Sequence, residues 1–135
     1  RASRRSPGAR PAWEAIGPLD DGYFLFLEET DWCRRARHAG YSIHGLPDAR
    51  VTHHGEHSVY QAPATAIPHY YRSYARFVRR TGAGRARVTV LKAIFAVSMI
   101  VRLALWSGRG LGGRRELAGR MVRGYARALV GMGAY

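Results

Sequence analysis

Cysteine, lysine and acid are all scarce in this chain, and each scarcity excludes something. A single cysteine, Cys33, rules out an internal disulfide and a cysteine-built zinc site, so nothing in the sequence asks for an oxidising compartment. Lys92 is the sole lysine among 22 basic residues, a bias toward arginine that a GC-rich genome is enough to produce. Only nine residues are acidic, which leaves few candidates for acid–base chemistry or for binding a hard cation. Uninterrupted apolar sequence is short as well. Lys92 and Arg102 limit the longest such stretch to residues 93–101, well below the ~20 residues of a membrane-crossing helix.

What is present is 135 residues, 47% of them hydrophobic, with three Trp. That is one ordinary domain with enough apolar side chain for a core and too much for wholesale disorder. The net charge of +13 is unevenly placed: residues 1–56 carry eight basic and eight acidic residues, whereas 57–135 carry fourteen basic and one acidic, Glu116. A neutral part followed by a cationic part suggests two tasks. The second should meet polyanions, either nucleic acid or anionic lipid.

Residues 1–11 read as a loose, disordered basic lead-in. "YFLFL" (23–27) is a continuous apolar run of strand length, suited to a strand buried on both faces. Thr30 is placed to cap a helix whose first turn holds Asp31 and which Gly40 ends. "YSIHGL" and "ARVTH" read as two further short strands, and "HGEHSVYQAPATAIP" as a loop. Three helices follow. In "HYYRSYARFVRRTG", Tyr70, Tyr74, Phe77 and Val78 share a face and Gly82 is the stop. Val88–Trp106 is the most apolar segment. In "RRELAGRMVRGYARALVGM", Leu117, Met121, Tyr125, Ala128 and Met132 form one stripe, with Arg120, Arg123 and Arg127 on another. Lys92 and Arg102 fall about 80° apart around a helix, so the charges of the apolar segment share a side. That fits a helix lying in a membrane surface better than one crossing it; it fits equally a core helix whose two charges reach solvent.

Five of the nine acids, Asp20, Asp21, Glu28, Glu29 and Asp31, fall between positions 20 and 31. The expected strand ends at Glu28 and Glu29, and strand C-termini in α/β sheets are where ligands bind. Carboxylates there can hold a hard cation or take a proton from a substrate hydroxyl. An acid-rich first helical turn is also ordinary capping, and Asp31 four residues before Arg35 is a helix-bracing pair. His53, His54 and His57 lie within five residues, but as an isolated metal module they lack a firm fourth ligand.

Four pieces in order, "GPLDDGYF", "LEETDWCRRAR" with "AGY", "LPDARVTHH" and "YYRSYARFVRR", resemble the C-terminal part of the catalytic domain of family-2, GT-A-type glycosyltransferases, closest to their rhamnosyltransferase-like members. The resemblance covers roughly Trp13 to Arg80. It implies an α/β, Rossmann-like fold portion over residues 12–82, followed by a basic, apolar helical tail over 83–135. It also implies an inverting transfer from a nucleotide-sugar, dTDP-rhamnose or a UDP-sugar, to a cell-envelope glycan or lipid-linked acceptor. Glu29 matches the position of the family's general base, where the second member of a Glu-Asp pair is the commoner pattern, and Glu28 becomes a supporting acid. His53, ending "PDARVTH", matches a histidine that approaches the divalent cation, Mg2+ or Mn2+, holding the donor's diphosphate; a strand-end histidine making a structural hydrogen bond is the alternative. Asp31 and Arg35 match an Asp and an Arg of the family, with bracing of the helix as the preferred reading. Trp32 and Cys33 are expected to pack beneath the strand.

No Asp-x-Asp occurs, and no N-terminal βαβ nucleotide-binding half precedes Ala12. The cation would then need ligands from outside this sequence. The expectation is a C-terminal piece of a longer enzyme, inactive alone, cytoplasmic and peripheral to the inner face of the cell membrane. Two non-catalytic alternatives remain: a nucleic-acid-binding protein using the tyrosines and arginines of "YYRSYARFVRR", which the packing demand on those tyrosines disfavours, or a membrane-surface adaptor using only the tail.

Overall fold

An apolar run becomes a strand only where a neighbouring strand takes its backbone hydrogen bonds. In the computed structural model, which describes residues 9–45, 47, 48, 50, 52, 57–111 and 115–134, no such neighbour is present for "YFLFL". The chain is helical and forms no strand among the described residues. Its elements are α1 (Ala9–Ile16), α2 (Glu28–His38), α3 (His57–Gln61), α4 (Pro63–Arg80), α5 (Arg85–Leu111) and α6 (Arg115–Val130), closed by a 3-10 turn, Gly131–Ala134. The expected α/β, Rossmann-like architecture is therefore overturned.

Residues 23–27 follow an irregular path whose polar groups are satisfied in other ways. The Tyr23 amide donates to the Asp20 carbonyl at 3.0 Å, and the Leu25 carbonyl accepts from the Ser73 hydroxyl at 2.7 Å. Residues 41–45 are irregular too, while the expected strand "ARVTH" lies mostly outside the described residues.

Helix punctuation was legible where glycine supplied it. Gly40 (φ +87°) and Gly82 (φ +77°) both stand just past helix ends in the left-handed region, and each amide returns to a carbonyl of the last turn, Arg37 and Arg79 respectively. The N-termini differ from expectation. Helix α2 starts at Glu28 with no side-chain cap, and the Thr30 hydroxyl turns to Glu29 instead. Of the segment expected as a loop before Tyr70, residues 57–61 and 63–68 are helix: Pro63 opens α4 at a position whose N–H is unpaired in any helix, and Pro68 gives up one backbone hydrogen bond in the second turn.

Helix α4 is the shared wall of two clusters. Its Ile67, Tyr71 and Ala75 join Met99 of α5 and Met121, Tyr125 and Ala128 of α6 in the core, with Phe95, Leu103, Trp106, Leu117 and Met132 packed around them. The stripe expected on the last helix is the one that packs. On α4 the expected face was rotated: Tyr70 is 41% exposed and Tyr71 is buried. Gly124 is required where α6 crosses α4, since a Cβ there would meet the Pro63 carbonyl oxygen at 2.5 Å.

Candidate active site around Glu28 and Glu29

The other side of α4 holds the segment that carries the acids. Asp31 is fully buried at the start of α2 and pairs with Arg35 at 3.0 Å, Arg34 at 3.2 Å and Arg80 at 3.6 Å. Arg35 also donates to the carbonyls of Ile16 and Pro18, each at 2.7 Å, so one guanidinium ties α1 and the following turn to α2. Trp32 packs against α1 rather than beneath a strand: its indole donates to the Gly17 carbonyl at 2.8 Å and stacks on Trp13 at 5.7 Å.

Asp20 does the corresponding work on α4. Its carboxylate accepts from Arg76 at 2.9 Å, Arg80 at 2.7 Å and the Gly22 amide at 2.9 Å. Burial pushes this carboxyl up, but the Gly22 hydrogen bond, the Arg76 hydrogen bond and charge, and the Arg80 charge outweigh it and hold Asp20 below the usual carboxylate range. Aromatic contacts complete the seam: Phe24 lies 4.2 Å from His69, and Phe26 meets Tyr70 edge-on at 5.6 Å. Sequence reasoning missed the Asp20 lattice because its arginines are 56 and 60 residues away. The signal available was the four-residue spacing of Arg76 and Arg80, which puts both on one side of a helix.

With Asp20 and Asp31 committed to arginines, Asp21, Glu28 and Glu29 are the acids of this segment without an ion pair among the described residues. Glu29 is exposed, and among the described residues its Oε1 accepts only a 3.4 Å contact from Thr30. Glu28 is half-buried, and its Oε2 is buried without a hydrogen-bond partner among the described residues. Both follow two consecutive non-glycine residues in the left-handed region, Phe26 (φ 68°) and Leu27 (φ 69°). That conformation costs about 1–2 kcal/mol per residue and persists only where its surroundings enforce it. Here they do: Ser73 holds Leu25, the Asp31 amide returns to the Leu27 carbonyl at 2.9 Å, and the Asp31 carboxylate is locked. The arrangement can offer one accessible carboxylate to a hydroxyl, backed by a second with a free oxygen.

The expected metal ligand, His53, lies outside the described residues, as does His54. Among the described residues no group of three or more His, Cys, Asp or Glu could hold a metal ion. Glu28 and Glu29 alone do not make a site for the expected divalent cation.

The chain is 33% identical over 79 residues to N-acetylglucosaminyl-diphospho-decaprenol L-rhamnosyltransferase of Mycobacterium tuberculosis, in strain CDC 1551 / Oshkosh and in strain ATCC 25618 / H37Rv. The match takes in 57% of this chain and 26% of the relative, so the chain spans about a quarter of the length of the curated relatives it matches. No family model and no solved structure matches. Over the matched part the chain is glycosyltransferase-like.

Proposed function

We propose that this chain is the base-bearing part of an inverting, family-2 glycosyltransferase. Glu29 takes the proton of an acceptor hydroxyl as its oxygen attacks the anomeric carbon of a nucleotide-activated sugar. The nucleoside diphosphate leaves in line on the opposite side, the configuration inverts, and the proton stays on the Glu29 carboxyl. Glu28 supports it from the adjacent, half-buried position. No step runs through a metal ion; a cation on the donor's diphosphate, with His53 as one ligand, would need its oxygen ligands from beyond the described residues.

The similarity to the mycobacterial rhamnosyltransferase carries this reading. That protein's name specifies a rhamnose transferred to a polyprenyl-diphosphate-linked sugar, which favours dTDP-rhamnose or a UDP-sugar as donor here and a lipid-linked or cell-envelope glycan as acceptor. The exposed Glu29, presented after an enforced left-handed turn, supports the choice of base. Nucleic-acid binding keeps little of its stacking platform, because Tyr71 is buried and Tyr74 packs edge-on against Phe95 at 5.3 Å, leaving Tyr70 as the exposed tyrosine of "YYRSYARFVRR".

The test is transfer of labelled sugar from dTDP-rhamnose, with UDP-sugars in parallel, to a polyprenyl-diphosphate-linked acceptor by the whole gene product that contains this segment. Transfer with an inverted anomeric centre is expected, and none from the 135-residue chain alone. Retention of configuration, or no turnover of any nucleotide-sugar by the whole product, contradicts the proposal.

A further inference from the structure

Among the described residues helix α5 is packed on one side only. Met99 is fully buried, and Phe95, Leu103 and Trp106 pack with it against the core. On the opposite side Val90, Ile94, Val97, Ile100, Val101 and Leu105 are each between 52% and 62% exposed. With about 100° per residue these six span an arc of roughly 140°, into which neither Lys92 nor Arg102 falls. Arg102, though exposed, reaches toward α6, its guanidinium 5.8 Å from the Tyr125 ring and 3.4 Å from that phenol oxygen. An apolar surface of this extent marks an interaction site.

We propose that this outer face of α5 docks onto an anionic lipid bilayer, with the helix lying in the membrane plane. Charge selects the occupant. Arg85 and Arg87 stand at one end of the apolar face, Arg109 and Arg115 at the other, and residues 57–115 contain no acid at all. Anionic headgroups complement that rim, whereas a second copy of the chain would bring the same cations against it.

Helix α5 is also long and apolar enough to cross a membrane, but its neighbour argues against crossing. Arg102 meets Tyr125, and a Cβ on Gly110 would touch Ala118 at 3.4 Å, so α6 runs antiparallel beside α5. Arg120, Arg123 and Arg127 then stand level with the second half of α5. A crossing α5 would carry these arginines into hydrocarbon, which is unfavourable, whereas an in-plane α5 leaves α6 on the water side.

The experiment is flotation of the 135-residue chain with phosphatidylglycerol–phosphatidylcholine vesicles and with phosphatidylcholine vesicles, alongside sedimentation velocity without lipid. The wild-type chain should favour the anionic vesicles by about tenfold or more. Val97→Asp with Val101→Asp, at exposed positions, should keep the helical circular dichroism and lose about tenfold or more of that binding. Arg85→Gln, Arg87→Gln and Arg109→Gln together should weaken the preference between the two vesicle types several-fold, and an unchanged preference would contradict the role given to this rim. An aspartate variant that floats like wild type would overturn the proposal. So would a wild-type dimer that the aspartates dissociate while neither protein floats, since the face would then belong to a second copy. Sugar transfer plays no part in the readout, so this proposal and the catalytic one fail separately.

Discussion

Asp31 has no solvent exposure and three arginines around it, which makes it the residue on which the N-terminal segment turns. Removing one member of a buried ionic group leaves the others uncompensated, a loss of roughly 3–5 kcal/mol. Arg34 and Arg35 keep about a quarter of their side-chain surface in water, which places Asp31→Ala near the lower end, about 3 kcal/mol, in urea unfolding monitored by tryptophan fluorescence. A loss below about 1 kcal/mol, as for a surface pair, would show that the lattice contributes little. The pH dependence follows from Asp20 and His69. Asp20 titrates below its unfolded value, so its contribution is complete above about pH 4 and lost as pH falls through the lower folded value. Burial, then the Arg72 charge, lowers His69; its neutral form is favoured by folding, and that contribution too is complete above about pH 6.5 and lost as pH falls. Stability therefore declines on acidification in two steps, and Asp20→Asn should shrink the difference between pH 5 and pH 3. An unchanged difference would assign acid sensitivity to other groups.

Helices of this chain were legible where periodicity and glycine agreed. The stripe of α6 from Leu117 to Met132 and the stops at Gly40 and Gly82 all stand in the structure. The Asp31–Arg35 pair was legible as well, being local. The strand at residues 23–27 was not, because a short apolar run does not by itself distinguish a strand from an irregular segment pinned between helices. The faces of α4 were misread for a related reason: it packs on both sides, and the aromatic residues divide between them. Ser73 and Arg76 met partners about fifty residues away, which no spacing rule reveals. The crossing of α4 and α6 yields an element-scale prediction. Gly124→Ala would press a methyl group against the Pro63 carbonyl and against Ile67, whose Cδ1 lies 2.8 Å from the added carbon. Parting the two helices should cost about 1–3 kcal/mol in thermal or urea unfolding. A neutral or stabilising alanine would mean that the crossing is looser than its geometry.

Across the whole molecule, the uneven charge of the sequence becomes a spatial division joined by α4. One side of that helix holds an ion-paired segment that consumes Asp20 and Asp31 and leaves Asp21, Glu28 and Glu29 without ion pairs among the described residues. The other supports a cationic helical pair with an uncovered apolar face. The two proposals assign these sides different tasks, a base for a hydroxyl and a face for anionic lipid, and the catalytic one is the central claim. Its most direct test compares Glu29→Gln with Glu28→Gln in the whole gene product, measuring kcat for sugar transfer while circular dichroism confirms the fold. The account predicts that Glu29→Gln lowers kcat by about 10²–10⁴ with little change in KM, and that Glu28→Gln lowers it less. A folded Glu29→Gln protein with wild-type kcat would contradict it.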